Sequence, residues 1–139
     1  MTTGEPELPP MVSEVDEFRR AKGVVEREIA HLTRHGYALP ERLQLGVMIE
    51  VPAAALLAEK ILEHVDFLSI GTNDLAQYTM AADRMSADLA TLTDPWQPAV
   101  LALVAMTIRA GQAAGKPVGV CGEAAADPLL ACVLTRMGV

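Results

Sequence analysis

Only two cysteines, Cys121 and Cys132, occur in the 139 residues. Their spacing fits neither a zinc site nor a secreted disulfide framework. No run of Lys or Arg is present, and the formal net charge is −7. That balance argues against nucleic acid and anionic membrane as partners. No apolar run is long enough to span a bilayer and no signal-peptide pattern appears, so a reduced cytoplasmic setting without membrane insertion is expected. Internal repeats and low-complexity segments are also lacking. What the chain does have is apolar content, 51% of its residues. At this length it can bury about two-thirds of its unfolded surface, enough for one domain or part of one. An acidic chain that binds a phosphorylated anion needs a local site for it, such as one that includes a metal.

Residues Met1 to Pro10 carry Thr, Gly, Glu and three prolines and read as a loose lead-in. From Ser13 to His35 the apolar residues Val15, Phe18, Val25, Ile29 and Leu32 recur at helical spacing. Ser13 with Asp16 suggests an N-terminal cap, and Gly36 a stop. Leu45 to Ile49 is a short, almost continuous apolar run, as expected of a strand covered on both faces. Pro52 opens an Ala/Leu-rich helix expected to reach about His64, since proline is tolerated in a first turn. A second strand is expected over about Val65 to Ile70, and a short helix from near Asn73 or Asp74. The stretch from Asp83 to Pro98 reads as irregular. A long helix then ends at Gly115, a third strand follows Lys116-Pro117, and Asp127-Pro128 starts a last helix reaching about Arg136. Strands alternating with helices argue for an α/β fold with a parallel sheet and right-handed crossovers.

Three polar groups stand where an apolar strand gives way to a loop: Glu50, Asp74 and Cys121. In folds of this class ligands collect at the carboxyl ends of the strands, so the three are expected to share one mouth. Mg²⁺ keeps several waters and is often held by one or two carboxylates plus substrate phosphate oxygens. Glu50 and Asp74 supply that number. Asn73 offers an amide beside them, and Gly71 and Thr72 allow backbone N–H groups close to an anion. Arg84 could return over the mouth and pair with a phosphate or carboxylate. Helix capping competes for Glu50, Asn73 and Asp74. Cys121 is either a small buried hydrophobe or a mouth-facing thiol. Cys132 and the methionines read as core, His31, His35 and His64 as surface, and Trp96 as a plug fixing a loop to the sheet wall.

Met48-Ile-Glu-Val-Pro52, Ser69-Ile-Gly-Thr-Asn-Asp-Leu75 with Gln77-Tyr-Thr79, Ala82-Asp-Arg84 and Val120-Cys-Gly-Glu123 stand in that order along the chain. Together they resemble the phosphoenolpyruvate (PEP)-binding barrel of the PEP-utilising enzyme family. Within it the likeness is to the enzyme I type, the PEP–protein phosphotransferases of bacterial sugar uptake. The Gln-Tyr-Thr and the Cys-Gly-Glu-Ala-Ala resemble that type more than pyruvate phosphate dikinase or PEP synthase. Pro10-Met-Val-Ser13 resembles the end of a preceding barrel strand. The resemblance implies a partial (β/α)8 TIM-type barrel, roughly its second half, over residues 13–139, with 1–12 as lead-in and strand remnant.

The same resemblance implies that Glu50 and Asp74 hold Mg²⁺ and that Asn73 and Arg84 contact the phosphoryl end of PEP. It makes Cys121 the acid that protonates the enol carbon as pyruvate forms. Phosphoryl transfer needs positioning and charge stabilisation more than covalent work by the protein. A thiol, still mostly protonated at neutral pH, can supply the proton. A whole barrel takes about 250 residues. The early-strand arginines of the family and its phospho-histidine domain have no counterpart here, and Met85-Ser86 stands where the family has Gly-Asn. The expected function is Mg-dependent phosphoryl transfer from PEP to a histidine on a phosphocarrier protein, with a companion chain or a second copy completing the barrel. The alternative is a catalytically silent half barrel that binds or regulates phosphotransferase components.

Overall fold

The computed structural model describes residues 11–40 and 43–139. Helix α1 (Val15–Arg34) leads to strand β1 (Gly46–Ile49), two short helices, α2 (Pro52–Leu56) and α3 (Ala58–Leu62), and strand β2 (Phe67–Gly71). Helix α4 (Thr72–Met80), a loop with one 3-10 turn, helix α5 (Pro98–Ala114), strand β3 (Val118–Cys121) and helix α6 (Pro128–Met137) complete it. The strands form one parallel sheet in the order β1-β2-β3. The α/β alternation expected from the sequence is therefore present.

Strand alternation gives the sheet two unlike faces. Val47, Ile49, Leu68, Ile70 and Val118 point to one side and are buried. That side is covered by α2, α3 and α5, whose Ala54, Ala55, Ala58, Ile61, Leu62, Val100, Val104 and Ile108 complete the core. The opposite side carries Met48 and Phe67 at one edge and the smaller Ser69, Gly71, Gly119 and Cys121 beyond them. Met48 there is 44% exposed. The apolar runs therefore do not mean cover on both faces: the second face is open among the described residues.

Several local expectations shift. Glu17, not Asp16, closes the start of α1: its Oε2 accepts from Ser13 N at 2.7 Å, Ser13 Oγ at 2.9 Å and Glu14 N at 3.2 Å. Those bonds, the Ser13 backbone bond foremost, hold the Glu17 carboxyl below its usual range. Asp16 instead pairs with Arg19 at 3.0 Å. The helix expected from Pro52 to His64 is interrupted at Leu57 (φ −98°, ψ 11°). Its buried residues nonetheless keep one face. Strand β2 starts two residues later than expected, because Asp66 is used at the turn: Leu45 N donates to its carboxylate at 2.8 Å. Lys116 Nζ donates to the carbonyls of Leu62 and Val65, the latter at 2.8 Å, and so meets orphan acceptors at the end of α3.

Cys132 is exposed, not core, since α6 turns Leu130 and Leu134 inward instead. Met48, Met85 and Met106 are exposed as well; Met80 and Met137 do pack on the core. Of the expected lead-in and strand remnant, Met1 to Pro10 lie outside the described residues. Met11 (φ 62°) and Val12 are not in a strand, and Val12 is buried in the core.

Trp96 does fasten its loop, but by a hydrogen bond and not by burial. Its Nε1 donates to Asp127 Oδ2 at 3.1 Å, while Oδ1 of the same carboxylate accepts from Leu129 N and Leu130 N at the start of α6. The Leu130 backbone bond, then the Trp96 bond, hold the Asp127 carboxyl below its usual range.

Two stability predictions follow from these contacts. Ile70→Ala, in the fully buried centre of the sheet, should cost about 2–5 kcal/mol in a urea unfolding titration. Asp127→Asn should keep the helix cap but lose the Trp96 bond. Because the Asp127 pKa is depressed in the fold, its contribution is complete above the ordinary aspartate value of about 3.9 and fades as pH falls through the lower folded value. The melting-temperature gap between wild type and Asp127→Asn should therefore be constant near neutrality and close in strong acid.

Candidate functional site

The carboxyl ends of the three strands meet in one row. Ile49 pairs with Ile70, and Gly71 pairs with Cys121. One residue past Ile49, Glu50 lies beside Gly71: a Cβ built at Gly71 would sit 2.8 Å from Glu50 Cγ and 3.2 Å from its Oε1. Glycine at 71 is thus what lets the Glu50 side chain lie across the strand end. On the other side of Gly71, Cys121 is half-buried. Its Sγ–H donates to the Ile70 carbonyl at 3.4 Å, and Ser69 Oγ–H donates to Sγ at 3.5 Å.

The loop after β3 is stitched to the start of α4. Thr72 Oγ1 donates to the Cys121 carbonyl at 3.0 Å, and Glu123 N donates to Asn73 Oδ1 at 3.1 Å. Gly122 takes φ +92°, and a Cβ there would come within 2.8 Å of Thr72 Oγ1 and 3.0 Å of Asn73 Oδ1. Only glycine meets both demands, a left-handed torsion and a close approach. Because Asn73 uses its carbonyl oxygen to accept, its amide nitrogen keeps two N–H donors. Thr72 is almost fully buried, so its hydroxyl is committed to holding the strand end.

A cleft of about 350 Å³ opens above this stitch, lined by Thr72, Asn73, Arg84, Met85, Thr93 and Glu123 among others. The Arg84 backbone N donates to Gln77 Oε1 at 3.4 Å. Its guanidinium forms no ion pair among the described residues, where the salt bridges are Arg19–Asp16 and Lys60–Glu63. A second, more apolar cleft of about 400 Å³ is lined by Glu50 and Ser69 with Val12, Phe18, Met48 and Phe67. Asp74 is half-buried in the first turn of α4 and lines neither cleft. The N-caps of α2 and α4 are Val51 and Gly71. Capping is therefore not the role that Glu50, Asn73 or Asp74 plays.

Of the residues singled out from the sequence, Glu50, Gly71 and Cys121 share a row, while Thr72, Asn73 and Arg84 share the neighbouring cleft. Glu123 belongs to that cleft and Ser69 to the sulfur; both sat inside the motifs without a role assigned. The signal for Ser69 was its spacing, two residues before Gly71 and so on the same strand face. Among the described residues no three His, Cys, Asp or Glu side chains gather as a metal cage, and no helix is long and apolar enough to cross a membrane.

Residues 7–139 match the family profile described as PEP-utilising enzyme, PEP-binding domain. A phosphoenolpyruvate-protein phosphotransferase of Streptomyces coelicolor is 62% identical over 98 residues, which cover 70% of this chain and 18% of that protein. One of Latilactobacillus sakei is 49% identical over 130 residues, 94% of this chain and 23% of that protein. One of Geobacillus stearothermophilus is 47% identical over 130 residues, 94% and 22% of the two chains. The chain thus spans about a fifth of the length of these curated relatives. With a match over nearly its whole length, and the motifs gathered at the strand ends, the chain belongs to the PEP-utilising enzyme family and corresponds to its PEP-binding domain.

Proposed function

We propose that this chain forms part of the PEP-binding (β/α)8 barrel of an enzyme I type PEP–protein phosphotransferase. In that role it binds PEP with Mg²⁺ at the strand ends and takes part in moving the phosphoryl group to a histidine on a protein partner, leaving pyruvate. The observation that carries this is the row of Glu50, Gly71 and Cys121 beside the Asn73–Arg84 cleft, built on the family's own motifs. The open face of the sheet supports the barrel, because a side bearing Ser69, Gly119 and Cys121 suits the inside of a closed βα wall. Strands β1 and β3 each have a neighbour on one side only among the described residues. A second copy or a companion chain could continue them. A cytoplasmic location and a phosphocarrier partner follow from the same reading.

The donor chemistry of Glu50 and Asp74 supports magnesium as the cofactor. Two carboxylates, completed by water and phosphate oxygens, match its octahedral oxygen shell, whereas a dedicated protein cage does not. Neither carboxylate takes part in an ion pair among the described residues; Glu50 lies across the strand end and Asp74 stands in the first turn of α4, outside both clefts. When bound, the ion would neutralise phosphoryl charge. The cleft itself offers little net positive charge, because Glu123 faces it together with Arg84, and a phosphoryl dianion needs more. The chain's own contribution is then Arg84 and the Asn73 amide on the phosphoryl oxygens, and the Cys121 proton for the enol carbon.

Millimolar MgCl₂ with PEP should raise the melting temperature, since ligand at about 100 times Kd stabilises by ~2.7 kcal/mol. Asp74→Ala and Glu50→Gln should each abolish the rise. A wild-type chain that shows none would refute the proposal. If it instead inhibited an intact phosphotransferase in proportion to dose, it would be a binding or regulatory module.

Trp96 is the sole tryptophan and lies on the loop that carries Arg84, Thr93 and Pro95. The same titration should change its emission. Arg84→Ala should weaken PEP about tenfold or more, the loss expected for a hydrogen bond to a charged group.

A further inference from the structure

Cys121 has a role as acid only if the proposed function holds, but the arrangement around its sulfur stands by itself. Ser69 is in register with Met48 and Gly119 and shares the open face of the sheet with Cys121. Its hydroxyl donates to Cys121 Sγ at 3.5 Å, while Sγ–H donates to the Ile70 carbonyl at 3.4 Å. Among the described residues Ser69 is the side-chain donor to this sulfur. The two contacts differ in what they do once the proton leaves. A carbonyl oxygen repels a thiolate; a hydroxyl hydrogen holds it.

We infer that Ser69 is a positioning residue for Cys121, fixing the sulfur at the strand end and stabilising the thiolate that remains after proton donation. In that step the S–H bond breaks and its electron pair stays on sulfur. A C–H bond forms at the methylene carbon of the enolate of pyruvate from the enolate's own π pair. As charge builds on sulfur, the Ser69 bond becomes charge-assisted, about twice as strong as a neutral one. Water must then return the proton to sulfur. Gly119 is exposed, and a Cβ there would meet nothing within 4 Å, so space for that water lies beside Ser69.

The test needs no PEP. Iodoacetamide alkylation of Cys121 near neutral pH, resolved from Cys132 by peptide mass spectrometry, reports how far the thiolate is stabilised. Ser69→Ala should slow Cys121 by about threefold, because the thiolate fraction falls faster than its nucleophilicity rises (Brønsted slope about 0.4–0.5). Cys132 should be unaffected. Should Ser69→Ala fail to fold by circular dichroism, Ser69→Thr and Ser69→Val form a matched pair that differs in the hydroxyl: Thr should react like wild type and Val more slowly. An unchanged or faster rate in Ser69→Ala, or Thr and Val variants that react alike, overturns the inference. Slow alkylation in Ser69→Ala without any PEP-dependent melting shift would uphold Ser69 and count against PEP binding. A melting shift with unchanged alkylation would do the reverse.

Discussion

The absence of a side chain at Gly71 and Gly122 is the constraint on which the upper rim of the sheet depends. At 71 it admits the Glu50 side chain across the strand end; at 122 it admits Thr72 and Asn73 against the loop that follows β3. With any larger residue at 71 the Glu50 side chain would have to give way, and at 122 the Thr72 and Asn73 side chains would, against a torsion that side chains rarely adopt. Polar bonds then lock what the glycines permit. Thr72 ties α4 to the end of β3, and Asn73 ties it to the residue after Gly122. Glu50, Asn73 and Cys121 at this rim therefore stand on backbone that is braced across two strands.

Beneath the rim, the work is divided between the two faces. One face is apolar and buried against three helices, which supplies the stability. The other carries Ser69, Gly119 and Cys121 beside Met48 and Phe67 and is left partly exposed, which supplies access. Parallel alternation makes this division unavoidable, because moving any strand by one residue would exchange the two sets. The row of Glu50, Gly71 and Cys121 belongs to the accessible set by the same arithmetic that puts Ile49, Ile70 and Val120 in the other.

Much of this was legible from the residues. Helical spacing from Val15 to Leu32, Pro52 as a first-turn proline, and Gly115 as a helix stop all led to elements that are present, because each rests on local torsion or periodicity. The site was legible as motifs at strand ends. Three kinds of feature were not. The break at Leu57 has no breaker residue to announce it. The exposure of Cys132 and of several methionines depends on which way a helix is turned, which its neighbours decide. The openness of the second sheet face was masked because β1 and β2 are apolar enough in sequence to suggest cover on both sides. The bonds of Ser69 and Glu123 join residues some fifty positions apart in sequence, so no local pattern could display them.

Asp127 serves two masters at once. Its two oxygens hold the first turn of α6 and the indole of Trp96. Fraying of that turn and release of the loop beside the cleft are thus coupled through one carboxylate. Loosening the start of α6 frees the indole, so motion at the helix end reaches the loop beside Arg84 through a single carboxylate.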